Sequence, residues 1–392
     1  MLRVAFTHHS GKDWTGGYTY LLNLARVLSE NGLDRIQPVF FAGTETEEST
    51  ITPFTDIPGV QVVRLAEFDS SRKGGRLLQA MLLGCDRAAV KAFRQQDIDV
   101  VFEAAQFHGW RFPIPAVAWL MDFQHRHLKH LFSTSTFWKR ELGYQAQIRS
   151  GRQIMLSSND SRKDCEHFYP RSKGRTSVVR FAVQPPVAID YSEACAIAET
   201  YGLPEHFFYL PNQFWKHKNH RTVIEALHLL KQQGKDVVVA ASGQPVDSRH
   251  PEHFLELQDL VGSYGLTENF RFVGMVPRDH VFALMRASTA LINPSLFEGW
   301  STTVEEAKSL GVPLLLSKLG VHVEQAEGFA SFFDAEDPSQ LASLLAAQVP
   351  LPLERRRQMA DAAMAESKRR VRQYALDFSD TIERAVALFR ER

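Results

Sequence analysis

The sequence predicts an α/β protein of two Rossmann-like domains facing each other across a cleft. Three observations predict it. Short apolar runs alternate with amphipathic helical stretches along nearly the whole chain, the signature of parallel sheets. At 392 residues the chain is too long for one ordinary core. Near residues 182–205 the rhythm breaks in "VVRFAVQPPVAIDYSEACAIAETYGLPEH", a proline-bearing stretch with little periodicity, and then starts again. Domains are expected over 1–190 and 191–375, with residues 376–392 a terminal helix returning to the first domain.

In the first half "LRVAFT" reads as a strand and "GGYTYLLNLARVLSENG" as a helix closed by Gly32. "IQPVFFAG", "VQVVRLA", "IDVVFEA", "PAVAWLMD" and "QIMLSS" are further strands, and "GRLLQAMLLGCDRAAVKAFRQQ" has helical apolar spacing throughout. The second series runs strand "HFFYLPN", helix "HRTVIEALHLLKQQG", strand "DVVVAASG" and helix "HFLELQDLVGSYG". It continues with strand "FRFVGMV", helix "RDHVFALMRAS", strand "TALINPS", helix "TTVEEAKSLG" and strand "PLLLSK". "QLASLLAAQ" and residues 353–392 are helical. Two such halves place a ligand cleft at the carboxyl ends of their strands.

Composition narrows the function. With 44% hydrophobic and 23% charged residues the chain is globular in type, and 45 Lys and Arg against 45 Asp and Glu give no pull toward nucleic acid. Cys85, Cys165 and Cys195 are widely separated, without metal or disulfide spacing, and read as reduced thiols. The N-terminus turns polar within "MLRVAFTHHSGKDW", and no apolar run approaches the roughly 20 residues of a membrane span, so a cytoplasmic protein is expected.

The most informative segment is "INPSLFEGWSTTVEEAKSLGVP", a strand, a polar turn and a helix. Thr302 and Thr303 each precede a Glu by three positions, Glu305 and Glu306, which offers overlapping capping boxes, and Gly311 with Pro313 supplies the stop. The unpaired N–H groups of such a first turn suit a diphosphate. Glu298 lies just before that turn and Glu306 about one turn inside it. Carboxylates there suit sugar and ribose hydroxyls. Glu305 reads as an ordinary acid favoured by the helix dipole.

"EGWSTTVEE" resembles the E-x7-E signature of the GT4 family of retaining glycosyltransferases, whose fold is GT-B. "TGGYTY", "LPNQFWKHKNHRTVIEAL" and "FVGMVPRDHVFALMRAS" extend the resemblance over most of the chain, in order. It implies that Glu306 binds the donor ribose, that Glu298 contacts the donor sugar, and that amides around Ser301 and Thr302 hold the diphosphate. Asn212, Gln213, Gly299, Trp300 and Thr303 complete the expected donor site, with backbone near Met275 and Val276 reading the base. Lys218 matches the family's diphosphate lysine. The family's arginine position holds Gln213. Either Lys216 or Arg180 supplies that charge, or the leaving diphosphate is less stabilised. Ser301 stands where a Gly is usual, so backbone approaches phosphate less closely.

In the first half, Gly16 and Gly17 between strand and helix let backbone approach a ligand, and the resemblance implies contact with donor phosphate or acceptor. "AWLMDFQHRHLKHLF" brings Asp122, Gln124, His125, His127 and His130 together. The resemblance implies a His here that reaches the donor sugar: His125 first, His127 in reserve, with Asp122 orienting the imidazole or binding the acceptor hydroxyl. His8, His9 and His108 rank lower. Expected catalytic residues are Glu298, His125, Asp122 and Lys218, with no metal and no cofactor; a UDP- or GDP-type nucleotide sugar is the donor substrate.

The stretch 126–152, rich in Arg, Lys and aromatics, suits either a solvated face or peripheral contact with the inner membrane surface. The motif combination is similar to bacterial surface-polysaccharide transferases acting on glycan or lipid-linked acceptors, with mannose a modest favourite. Three other readings stay open. A GT-B epimerase or phosphorylase shares the frame, and a GT-B binding protein without activity is kept open by Gln213. A dinucleotide oxidoreductase is opposed by the lack of G-x-G-x-x-G after a strand.

Overall fold

The computed structural model describes residues 1–7, 15–32, 34–104, 106–183 and 189–391. His8, His9 and the prolines at 185 and 186 lie outside the described residues. The chain forms two compact units: residues 1–123, 134–182 and 370–392 make the first, and 124–133 with 183–369 make the second. Divisions at 190/191 and 375/376 were expected; the chain divides at 182/183 and 369/370, and 124–133 departs from its neighbours in sequence.

The first unit is built on a seven-stranded sheet. Its strands are β1 (Leu2–Thr7), β2 (Ile36–Ala42), β3 (Gln61–Arg64), β4 (Val100–Ala104), β5 (Ala116–Trp119), β6 (Gln153–Leu156) and β7 (Thr176–Val178). They are parallel, in the order β3-β2-β1-β4-β5-β6-β7. One face carries Ala5, Val39, Phe41 and Val101 against Phe93 of the helix Arg87–Gln95. On Phe6 and Phe102 rests the ring of Phe378, at 6.0 and 5.5 Å between centroids. Tyr374 and Phe378 are fully buried, which is why the last helix, Leu353–Arg390, belongs to this unit from residue 370 onward.

The second unit holds six parallel strands: β8 (Phe208–Leu210), β9 (Val239–Ser242), β10 (Phe270–Gly274), β11 (Leu291–Asn293), β12 (Leu314–Ser317) and β13 (Ala330–Phe333). Their order, β10-β9-β8-β11-β12-β13, is the Rossmann arrangement. Both faces are apolar, as a parallel sheet covered by helices requires. Leu210, Val239, Ala241, Ile292 and Leu315 face one cluster, while Tyr209, Ala240, Leu291, Leu314 and Leu316 face the other.

Two sequence expectations are corrected. The stretch read as one helical run is two helices, Lys73–Leu83 and Arg87–Gln95. Gly84 ends the first in the left-handed region (φ 75°), and the Asp86 side chain caps the second through the Ala89 N–H. The linker stretch contains a helix, Tyr191–Thr200, capped by Asp190; Ala194 and Ala198 bury it against Phe282 and Ala283.

Candidate functional site

In the second unit the chain winds outward in opposite directions from β8 and β11, so their carboxyl ends flank the switch point where such sheets bind ligands. Asn212 follows β8, and Asn293 ends β11. Asn293, fully buried, organises the turn beyond it. Its Oδ1 accepts from the Ser295 hydroxyl (2.6 Å) and amide (3.2 Å) and from Asn212 Nδ2 (3.4 Å). Its Nδ2 donates to Ser301 Oγ at 2.9 Å.

The next helix is Thr302–Leu310, starting where the sequence predicts, but its cap differs. Ser301, not Thr302 or Thr303, is the N-cap, and its hydroxyl accepts from the Val304 N–H. The third helical position is therefore Val304, so neither Glu305 nor Glu306 closes a capping box. Gln325 grips Ser301 twice, accepting from its N–H (3.2 Å) and donating to its carbonyl (2.8 Å). The Ser301 amide is thus bonded to Gln325, while Thr302 and Thr303 stand in the first turn, where N–H groups have no intrahelical acceptor. Gly311 ends the helix at φ 68°, where an added Cβ would lie 2.5 Å from the Met359 carbonyl oxygen.

The two carboxylates of the signature differ in state. Glu298 Oε1 accepts from Lys218 Nζ at 2.6 Å and from the Ser295 hydroxyl at 2.7 Å. Burial pushes this carboxyl up, but the Lys218 ammonium, the nearby His322 and the two donated bonds outweigh it and hold it below the usual range. Glu306, nearly buried, accepts from Arg278 at 3.3 Å. Burial raises it to about 7, with Arg278 opposing. Glu305 is structural: fully enclosed, it accepts from Lys308 (3.1 Å) and Gln325 (3.0 Å).

Gln213 sits at the expected arginine position and its Oε1 accepts from the Gln244 N–H at 2.9 Å, so it shapes the neighbouring loop and brings no charge. Lys216 is exposed beside it. Sequence reasoning missed Arg249, which stands shortly after β9. Buried Asp247 holds it (backbone 3.0 Å, side chain 3.5 Å), and Arg249 donates to Gln124 Oε1 at 3.2 Å. Its guanidinium also lies 5.2 Å from the Phe132 ring and 3.4 Å from His217 Nδ1. This tie explains why residues 124–133 belong to the second unit, although both His candidates were expected on the first domain. His125 is fully buried. His127 is exposed, with its ring 5.1 Å from that of Phe297, the residue before Glu298.

The second unit contains Asn212, Gln213, Lys218, Met275, Val276, Glu298, Gly299, Trp300, Ser301, Thr302, Thr303, Glu306 and the His segment; among them Lys218 pairs with Glu298, and the His127 ring lies 5.1 Å from that of Phe297. Met275 is exposed and Val276 half-buried after β10. Asp122, Arg180, Gly16 and Gly17 belong to the first unit. Asp122 was expected to orient an imidazole or bind the acceptor hydroxyl; its carboxylate accepts from Arg140 at 2.5 Å. Arg180 is exposed after β7. Gly16 and Gly17 lie in the first turn of the helix Thr15–Asn31, which they open as the sequence predicts. His108 is buried, with Nδ1 3.4 Å from Asp86. Among the described residues no group of three His, Cys, Asp or Glu gathers as metal ligands, and no helix is long and apolar enough to cross a membrane.

Comparison with known proteins follows the same division. Residues 198–365 match the family model for glycosyl transferases group 1. The D-inositol 3-phosphate glycosyltransferase of Salinispora arenicola (strain CNS-205) is 26% identical over 226 residues, 54% of this chain and 50% of that protein. The chain therefore spans about half the length of this curated relative. Among solved structures, Anabaena Alr3699/HepE in complex with UDP and glucose superposes with a TM-score of 0.70 at 17% identity, covering 98% of this chain and 100% of that one. A glycosyltransferase from Rickettsia africae ESF-5 gives 0.66 at 14% identity over 100% and 97%. WaaG, a glycosyltransferase involved in lipopolysaccharide biosynthesis, gives 0.62 at 16% over 97% and 99%. The fold is GT-B, as the sequence predicts. Within it, residues 198–365 resemble the group 1 glycosyl transferases in sequence.

Proposed function

We propose that this protein is a retaining, metal-independent glycosyltransferase that moves a hexose from a nucleotide-diphosphate sugar to a glycan or lipid-linked saccharide. One observation carries the reading. At the switch point of the second unit, Lys218 from the loop after β8 holds Glu298 from the loop after β11, and that loop leads into the capped helix Thr302–Leu310, which carries Glu306 with its carboxyl raised to about 7. Negative charge growing on a leaving diphosphate meets the Lys218 ammonium and the first-turn amides, as preorganised stabilisation. Positive charge growing at the anomeric carbon lies near the Glu298 carboxylate. Glu306 takes the ribose hydroxyls. His127 replaces His125 as the imidazole for the sugar, because it is exposed beside Phe297 while His125 is buried.

Retention follows most simply if the acceptor attacks on the leaving-group side and the departing phosphate takes its proton. A glycosyl ester trapped on any Asp or Glu would overturn that step. The UDP complex of the Anabaena protein supports a UDP-type donor, with GDP as the other base. Mannose remains the sugar read from the motifs, and the glucose in that complex sets a second choice beside it. The reading places the protein in the cytoplasm, and a lipid-linked acceptor would bring it to the inner membrane face.

A thermal-shift screen against UDP, GDP, ADP and dTDP, with and without EDTA, tests the donor site. A rise with one nucleotide, unchanged by EDTA and lost in Glu306→Ala, is expected. No rise with any nucleotide overturns the reading in favour of a GT-B protein without activity.

A further inference from the structure

One cation is missing from the donor site. In a metal-independent transfer, the negative charge growing on the leaving diphosphate is met by fixed cations and dipoles. Lys218 is one, but its ammonium already faces the Glu298 carboxylate at 2.6 Å. Where the family has its arginine stands Gln213, engaged with the Gln244 N–H. Lys216 is exposed, and what Asp247 holds there is its backbone N–H, at 3.2 Å. Arg180 belongs to the first unit.

Arg249 has the features of the missing group. Its side chain is 26% exposed, and its guanidinium carbon lies 5.2 Å from the Phe132 ring and 6.0 Å from that of Trp215. Those rings hold the group without using its N–H donors. Each of its three nitrogens has one polar neighbour, none of them close: Asp247 Oδ1 at 3.5 Å, Gln124 Oε1 at 3.2 Å and His217 Nδ1 at 3.4 Å. A guanidinium has five N–H groups, so one on each terminal nitrogen is left without an acceptor among the described residues. A held plane with spare donors suits phosphate oxygens.

The same contacts place Arg249 in a closed ring of segments. His217 lies in the turn Lys216–Lys218, whose Lys218 bonds Glu298 and whose His217 carbonyl accepts from the Leu296 amide. Phe297, between those two, faces the His127 ring at 5.1 Å. His127 ends the short helix that begins at Gln124, which Arg249 holds. We propose that Arg249 binds the β-phosphate of the donor and takes over the role that the family's arginine has where this chain holds Gln213. As the bond from the anomeric carbon breaks, its electron pair goes to a β-phosphate oxygen, and the acceptor oxygen forms the new bond while its proton passes to that phosphate. Arg249 meets this charge at the sugar end of the diphosphate, because Gln124 begins the helix that carries His127.

The inference rests on the donor site proposed above, and the test separates the two. The parent chain is titrated calorimetrically with UDP and GDP, and the tighter nucleotide is compared with its monophosphate. Arg249→Gln should weaken the diphosphate about tenfold and leave the monophosphate within about twofold, because a charge-assisted contact to the β-phosphate is lost. Adding Gln213→Arg to that variant should recover most of the affinity, since it returns a cation to the diphosphate; a role confined to holding residues 124–133 would not be rescued this way. Arg249→Lys keeps the charge and should weaken the diphosphate only about threefold, and it reads the same contrast with the monophosphate if Arg249→Gln does not fold. Unchanged diphosphate affinity, equal weakening of both nucleotides, or no rescue by Gln213→Arg overturns the proposal and leaves the donor site standing. A parent chain that binds neither UDP nor GDP overturns the donor site, and the proposal with it.

Discussion

Lys218 Nζ and Glu298 Oε1 lie 2.6 Å apart, with side chains 14% and 10% exposed, so the cation and the first carboxylate of the signature hold each other. Lys218 stands at the end of a short turn whose His217 carbonyl accepts from the Leu296 amide at 2.8 Å, which ties its loop to that of Glu298. Replacing Lys218 by Met leaves a nearly buried carboxylate without its cation, at a cost of about 3 kcal/mol. The double variant Lys218→Met with Glu298→Gln should lose less than the sum of the single losses. Urea-unfolding midpoints measure both, and additive losses would show that the pair is not coupled.

Glu306 makes stability depend on pH. Its carboxyl is raised from 4.5 to about 7 by burial. The folded chain therefore keeps a proton that the unfolded chain gives up, and folding is favoured below the ordinary value. That contribution fades as pH rises through about 7. Glu306→Gln should remove the dependence, gaining on the order of 3 kcal/mol relative to the parent chain between pH 4.5 and 8. Melting temperatures of the two proteins that stay parallel across this window would refute the assignment.

Gln325 joins the helix Gly320–Ala326 to the start of Thr302–Leu310 through both polar atoms of the Ser301 backbone. Gln325→Leu should cost about 2 kcal/mol, because it leaves the buried Ser301 N–H unpaired and takes a donor from the enclosed Glu305 carboxylate. It should also weaken nucleotide binding, since the first-turn amides lose their fixed aim. Calorimetric titration with UDP reads the second effect, and a full-strength titration would separate Gln325 from the donor site.

The Asp247–Arg249 pair should govern the segment carrying the imidazoles. Arg249→Ala is expected to speed amide hydrogen exchange in residues 124–133, and Arg249→Lys should not restore protection, because a single ammonium lacks the guanidinium fork that spans Asp247 and Gln124. In sugar-transfer and thermal-melting assays His127→Ala should reduce transfer with little change in melting temperature, whereas His125→Ala should lower the melting temperature first.

The sheets and the E-x7-E helix were legible because strand alternation and helix period are local patterns, seen in Leu291–Asn293 and Thr302–Leu310. The helix start was placed correctly, but its cap was not. Competition among Ser301, Thr302 and Thr303 is decided by Asn293 and Gln325, which approach from other loops. Arg249 carried no signal beyond "DSR", since its role depends on Gln124, 125 positions away. Gly84 could have been read as a break, because glycine ends helices and the Asp two positions on is an N-cap residue, yet apolar spacing runs straight through it. Burial separated His125 from His127, and two His two positions apart cannot be ranked from sequence.

The burial of Tyr374 and Phe378 in the first unit bears on how the chain is made. A ribosome delivers β1 through β7 early, yet the aromatic face formed by Phe6 and Phe102 is closed by a residue delivered after the second unit. The part synthesised first must therefore wait, with apolar surface uncovered, until the whole second unit has emerged. A stop codon near residue 370 would spare every residue of the E-x7-E motif and still leave the first unit unfinished.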